Sequence, residues 1–168
     1  MALRPLDYDG TMVDTASPSF TPVDDDLYRE IILDHFRSPR RKRRVEHADR
    51  SVEANNPLCG DEIDLMLRME GQAVADIGFT GRGCSISQAS ASMLCDTVAG
   101  MALDEARILA ERFRAMLQGG DDSTDLGDLE ALRGVRSYPV RVKCATLAWN
   151  ALLQALASDT HDTNLTVT

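Results

Sequence analysis

Residues 62–84, Glu62-Ile63-Asp64-Leu65-Met66-Leu67-Arg68-Met69-Glu70-Gly71-Gln72-Ala73-Val74-Ala75-Asp76-Ile77-Gly78-Phe79-Thr80-Gly81-Arg82-Gly83-Cys84, decide the fold. Ile63, Leu65, Leu67 and Met69 alternate with Glu62, Asp64, Met66 and Arg68, the period of two that marks a half-buried strand. Gly71-Gln72 supplies a turn, and Ala73 to Thr80 reads as the returning strand, with Ala75, Ile77 and Phe79 on one face. After Gly81-Arg82-Gly83-Cys84 the pattern turns helical. Ser85 and Gln88 have the spacing of a capping box, and the helix is expected to run to about Ala99 and stop at Gly100. Upstream, Ser51–Ala54 adds a third, outer strand.

Working outward, Asp24-Asp25-Asp26 precedes Leu27, Tyr28, Ile31, Ile32 and Phe36. Carboxylates in a first turn oppose the positive end of the helix dipole, and the apolar spacing fits a helix that ends near Arg37, before Pro39. The basic run Arg37–Arg44 holds six cations in eight residues. It reads either as a solvated segment or as a docking patch for an acidic partner or for the chain's own acidic tail. Downstream, a helix is expected from an Asp104 cap to Leu117, closed by Gly119-Gly120. Residues 119–136 form an acidic insertion in which Leu126, Leu129 and Leu132 suggest a helical turn. Tyr138-Pro139 opens a last helix whose stripe is Val140, Cys144, Leu147, Ala148, Ala151, Leu152 and Ala155, fading after Ala157. This order predicts an α+β fold, a small antiparallel sheet of about three strands packed against several helices. The domain spans residues 24–158, between a flexible acidic tail at 1–23 and a flexible tail at 159–168.

The 168 residues suit one domain, and a hydrophobic fraction of 43% is enough for a core. Aromatics are only 5%, so the core leans on aliphatic side chains. Eighteen Lys and Arg against 27 Asp and Glu give a net charge of −9, which argues against general nucleic-acid binding. No stretch approaches the roughly 20 apolar residues needed to cross a bilayer, and Met1–Ala16 lacks the apolar block of a secretory signal. No membrane partner is expected, and a cytoplasmic location is.

Four cysteines remain to be explained: Cys59, Cys84, Cys95 and Cys144. None forms a C-x-x-C pair, so spacing alone does not identify a metal site. Cys59 lies in the tight turn Asn56-Pro57-Leu58-Cys59-Gly60-Asp61, where the backbone could aim the Asp61 carboxylate at the same point; alternatively Asp61 only caps the turn. Cys84 sits near free amides at a helix start, which favours thiolate, or is a small buried residue behind two glycines. Cys144 stands beside Arg141 and Lys143, which favour thiolate, yet falls on the apolar stripe. Cys95 lies on the same helix as Cys84 but roughly 16 Å along it, too far to share one ion, and is assigned to the core. Three thiolates and one carboxylate suit tetrahedral zinc or a small iron–sulfur cluster. With a divalent ion the local charge is about −2, which Arg82, Arg141 and Lys143 would offset.

Asn56-Pro57-Leu58-Cys59-Gly60-Asp61, Gly83-Cys84-Ser85-Ile86-Ser87-Gln88-Ala89-Ser90-Ala91-Ser92 and Pro139-Val140-Arg141-Val142-Lys143-Cys144-Ala145 together resemble the U-type iron–sulfur cluster assembly proteins, the NifU N-terminal, IscU and SufU group. The resemblance spans about residues 26–157. Lys143, where Isc-type scaffolds carry His, and the segment 119–136 point to the SufU branch. The resemblance implies a SufE/NifU-like sandwich and one zinc ion held by Cys59, Asp61, Cys84 and Cys144, with Arg141 near the metal. It further implies that Cys59 receives sulfur as a persulfide from a SufS-type cysteine desulfurase, and that the product feeds downstream Suf assembly proteins. The expected function is therefore a zinc-dependent sulfur acceptor and carrier that stimulates its desulfurase, an accessory protein rather than a stand-alone enzyme. Two alternatives stay open: a scaffold carrying a transient 2Fe–2S cluster on the same ligands, and a structural zinc adaptor. The residues before 24 and Cys95 inherit no role.

Overall fold

Alternating side chains build the sheet first. A computed structural model describes residues 22–120, 125–157 and 163–166. Strands β1 (Arg50–Asn56), β2 (Asp61–Glu70) and β3 (Ala73–Arg82) form an antiparallel meander. A fourth strand, β4 (Thr163–Thr166), pairs in parallel with β1, giving the order β3-β2-β1-β4. The sequence places residues 163–166 in a flexible tail; their pairing covers the β1 edge, which would otherwise offer unpaired amides. Residues 1–21, the bulk of the expected acidic tail, lie outside the described residues, as do 121–124.

The returning strand differs from the alternation read in the sequence. Its buried residues are Val74, Ile77 and Phe79, whereas Ala75 is half-buried. The cause is a register shift between Arg68 and Met69: Arg68 faces Asp76 and Met69 faces Val74, so Ala75 is an extra residue. One inserted residue inverts the side-chain parity on its far side.

Helix α1 (Pro22–Arg37) starts two residues before the expected position and packs on α2 (Ser85–Val98); α2 in turn packs on β3 and on α4 (Pro139–Ala157). Helix α3 (Leu103–Leu117) and an eleven-residue 3₁₀ helix (Gly127–Ser137) complete the helical layer. α2 is sandwiched, and its run of Ser87, Gln88, Ala89, Ser90, Ala91, Ser92 buries small residues that allow close approach. The buried hydroxyls find partners: Ser90 Oγ donates to Ala145 O at 2.6 Å and accepts from Trp149 Nε1 at 3.0 Å. Ser92 Oγ lies 2.8 Å from both the Arg40 amide and His35 Nδ1. With few aromatics available, one stacked pair, Phe113 on Trp149 with centroids 4.3 Å apart, anchors the α3–α4 contact. Cys95 is fully buried in this core, where burial pushes its thiol far up. The stripe predicted for α4 is buried except Val140, which is 57% exposed.

Two caps differ from the sequence reading. Cys84, not Ser85, caps α2, its Sγ accepting the Ser87 amide at 3.4 Å. Gln88 makes no capping bond; its amide is buried without a partner. Asp104 lies inside the first turn of α3, because the Leu103 amide is taken by Gln72 O at 2.7 Å. That bond belongs to a stitch in which Val74 N reaches Met101 O and Gly100 N reaches Val74 O, both at 2.8 Å, along the β3 edge. Further along the same edge, Phe79 N donates to Arg41 O at 3.1 Å. The basic run is therefore part of the sheet's border. Gly78 makes room for it, since a Cβ there would sit 2.7 Å from Arg43 O. Among the described residues three of its six cations are paired, Arg40 with Asp34 at 2.6 Å and Arg41 and Arg43 with Asp76 at 3.0 and 2.8 Å. This pairing weakens the docking-patch alternative.

Candidate metal centre

The site is assembled from three chain junctions at one end of the sheet. Between β1 and β2, Asn56 organises the turn: its Oδ1 accepts the Leu58 amide at 3.1 Å, and its backbone oxygen accepts Cys59 N at 3.2 Å and Gly60 N at 2.9 Å. Gly60 at φ +69° lets the chain reverse at once into β2. Asp61, the first residue of β2, is 1% exposed, and its Oδ1 accepts the Cys84 amide at 2.8 Å. The carboxylate thus reaches the positive end of α2, where an anion is stabilised. Gly83 keeps this contact possible, because a Cβ there would collide with Asp61 Oδ1 and stand 2.6 Å from Ser87 Oγ.

Cys144 comes from the second turn of α4 and is buried; its Sγ lies 3.3 Å from Cys59 Sγ. Donor atoms of Cys59, Asp61 and Cys144 all lie within 4.8 Å of one another. Tetrahedral bonds of 2.3 Å to one ion would set two sulfurs about 3.7 Å apart, so the cysteine pair already stands near that spacing. Cys84 is the outlier. Its Sγ is 3.8 Å from Asp61 Oδ2 and accepts the Ser87 amide as the α2 cap, and it stays outside the mutual group.

Electrostatics decides what this cluster wants. The cations expected to favour a Cys144 thiolate are outweighed: burial first, then the Asp61 carboxyl and the Cys59 thiol, push the Cys144 thiol well above its ordinary value. A cation set among these three donor groups, all within 4.8 Å of one another, would reverse that push on Cys144. The donor set, soft sulfur with one carboxylate, fits zinc. Arg141 is the cation that attends it: first Cys144, then Cys84, hold its guanidinium above its usual range. Lys143 is half-buried and makes no hydrogen bond or ion pair with the cluster. Arg82 pairs instead with Glu62 at 3.1 Å. Asn56 and Gly83 were not singled out in the sequence, although Asn before Pro, with its habit of bonding the backbone two residues on, signals such a turn.

The geometry can now be set beside known proteins. The model of the NifU-like N terminal domain matches residues 27–159. A zinc-dependent sulfurtransferase SufU of Bacillus subtilis is 46% identical over 143 residues, 84% of this chain and 97% of that one. An iron–sulfur cluster assembly scaffold protein IscU of Streptococcus pyogenes is 40% identical, over 83% of this chain and 89% of that one. Among solved structures, the N-terminal part of a nitrogen-fixing NifU-like protein from Brucella abortus superposes with a TM-score of 0.70 at 25% identity, covering 79% of this chain and 94% of that one.

Proposed function

Because the chain belongs to the NifU-like N-terminal domain family, we propose that it serves iron–sulfur cluster assembly as a sulfur acceptor and carrier. In this reading Cys59, Asp61, Cys84 and Cys144 hold one zinc ion, and Cys59 is the accepting thiol. Zinc bound there would keep its cysteine ligands ionised at neutral pH.

One observation carries the reading. Asp61 and Cys144 are buried, whereas Cys59 and Cys84 are half-buried, and Cys59 alone of these lies on a turn with an exposed tip, Leu58, which is 69% exposed. That turn is where a donor protein can approach the Cys59 sulfur. The Cys59 thiolate attacks the outer sulfur of a cysteine persulfide on a SufS-type desulfurase. The donor's S–S bond breaks, its cysteine leaves as a thiolate, and a persulfide remains on Cys59 with no net change in oxidation state. Asp61 and Cys144 stay in place from the core, and Arg141 offsets the negative charge on the remaining sulfurs. All four cysteines are free, which agrees with a reducing cytoplasm. Among the described residues no helix is long and apolar enough to cross a membrane.

The test is mass spectrometry of the intact chain after incubation with the desulfurase and cysteine. Wild type and Cys95→Ala should gain one sulfur atom on Cys59, and Cys59→Ala should gain none. Equal sulfur uptake by Cys59→Ala refutes the reading. Similarity to the Streptococcus pyogenes scaffold supports a second reading, cluster assembly on the same ligands. Iron and sulfide retained with a visible chromophore after anaerobic reconstitution would select it.

A further inference from the structure

Beside the metal centre lies a groove of about 520 Å³ between α1, the start of α2, the 3₁₀ helix and the start of α4. Ile32, Ile86, Val135 and Tyr138 line it with apolar surface, and Arg29 and Arg141 bring positive charge. Tyr138 is 65% exposed, far more than a large aromatic side chain gains by facing water. The groove adjoins the site directly, since Ser85 also lines it and Arg141 attends the Cys84 and Cys144 sulfurs.

We propose that residues 6–13 of this same chain, Leu6-Asp7-Tyr8-Asp9-Gly10-Thr11-Met12-Val13, dock in that groove. Three observations single them out. The family match begins only at residue 27, and 84% of this chain covers 97% of the Bacillus subtilis relative, so residues 6–13 lie outside the matched domain. In sequence that segment precedes α1, whose Arg29 and Ile32 line the groove. Its chemistry is complementary: Leu6, Tyr8, Met12 and Val13 match the apolar walls, and Asp7 and Asp9 match Arg29 and Arg141. Reach is sufficient. Nine residues from Val13 to Pro22 span up to about 30 Å when extended, against about 15 Å along α1 from Pro22 to Ile32. The covalent tether supplies millimolar effective concentration, which favours this occupant over a second copy of the chain.

Backbone ¹⁵N relaxation on the full chain, as purified, tests the docking without reference to sulfur transfer. Docked residues 6–13 should show order parameters above about 0.6, near the rigid range. Two variants should return them to the flexible range: Leu6→Ser/Tyr8→Ser/Met12→Ser, which strips the segment, and Gly134→Phe, which fills the groove from a lining position. A Cβ at Gly134 meets nothing within 4 Å, so the new side chain leaves the backbone into open space, and an unchanged melting temperature checks that the domain is intact. Flexible order parameters in wild type would overturn the proposal. So would order that persists in Gly134→Phe, meaning the segment rests elsewhere, or order that disappears on tenfold dilution, meaning a second copy supplies it.

Discussion

Gly83→Ala isolates the contact on which the metal centre is built. A Cβ at residue 83 would collide with Asp61 Oδ1 and lie 3.0 Å from its Cγ, so the carboxylate must swing off the Cys84 amide. Overpacking of this kind costs about 1–3 kcal/mol, and loss of a hydrogen bond to a charged acceptor about 1.5–3 kcal/mol. The two overlap, because the same movement relieves one and incurs the other, so a net loss of about 2–4 kcal/mol is expected. For a domain of this size that lowers the melting temperature by roughly 5–15 °C. Gly100→Ala is the control. Its φ of +84° strains any other residue, yet a Cβ there meets nothing within 4 Å. It should cost about 1–2 kcal/mol from backbone strain alone and leave the centre untouched. Calorimetry gives both melting temperatures, and chelator competition gives both zinc affinities. Only Gly83→Ala should lose zinc more readily than wild type. Zinc held equally tightly by the two variants would refute the link from Gly83 through Asp61 to the site.

Other outcomes follow from the core. Burial first, then Arg40, holds the His35 imidazole below its ordinary value near 6.5, so the unfolded chain takes up more protons under acid conditions. Stability is complete above pH 6.5 and should fall as pH drops through that value; His35→Gln should flatten that part of a urea-denaturation pH series, and an unchanged slope would contradict it. Ser90→Ala strands the buried Trp149 indole N–H and removes the side-chain bond to the Ala145 carbonyl, which keeps its place in the α4 ladder. It should cost about 1–3 kcal/mol in urea denaturation with an unchanged slope; a loss below about 0.5 kcal/mol would show that the hydroxyl is dispensable.

Much of this architecture is legible in local pattern. The alternation from Ile63 to Met69 and the turn at Gly71-Gln72 lead directly to the hairpin, and the stripe ending at Ala155 leads to α4. What local pattern missed has long-range causes. The buried face of β3 moved because Ala75 is an extra residue in the pairing with β2, and the alternation within β3 does not announce where the pairing slips. Asp104 was displaced as a cap because a backbone stitch to Gln72 does the same work. Cys84 displaced Ser85 as the α2 cap because Asp61, distant in sequence, grips its amide. The basic run stayed open between a solvated segment and a docking patch because nothing local shows that a sheet edge lies beneath it.

The candidate site divides the same way. Asn56-Pro57-Leu58-Cys59-Gly60-Asp61 is a local turn and was readable as one. The meeting of Cys59 with Cys144, 3.3 Å apart, is a product of the whole α+β packing, and only the joint resemblance of three motifs foreshadowed it. The structure brings Cys59, Asp61 and Cys144 together and leaves Cys84 outside that group, with its Sγ 3.8 Å from Asp61 Oδ2.

The most direct test is metal content of the chain purified with neither added metal nor chelator. One tightly held zinc per chain is expected for wild type, lost in Asp61→Ala and in Cys144→Ala and retained in Cys95→Ala. Wild type free of zinc, or zinc that survives both ligand substitutions, would contradict a shared ion at these residues.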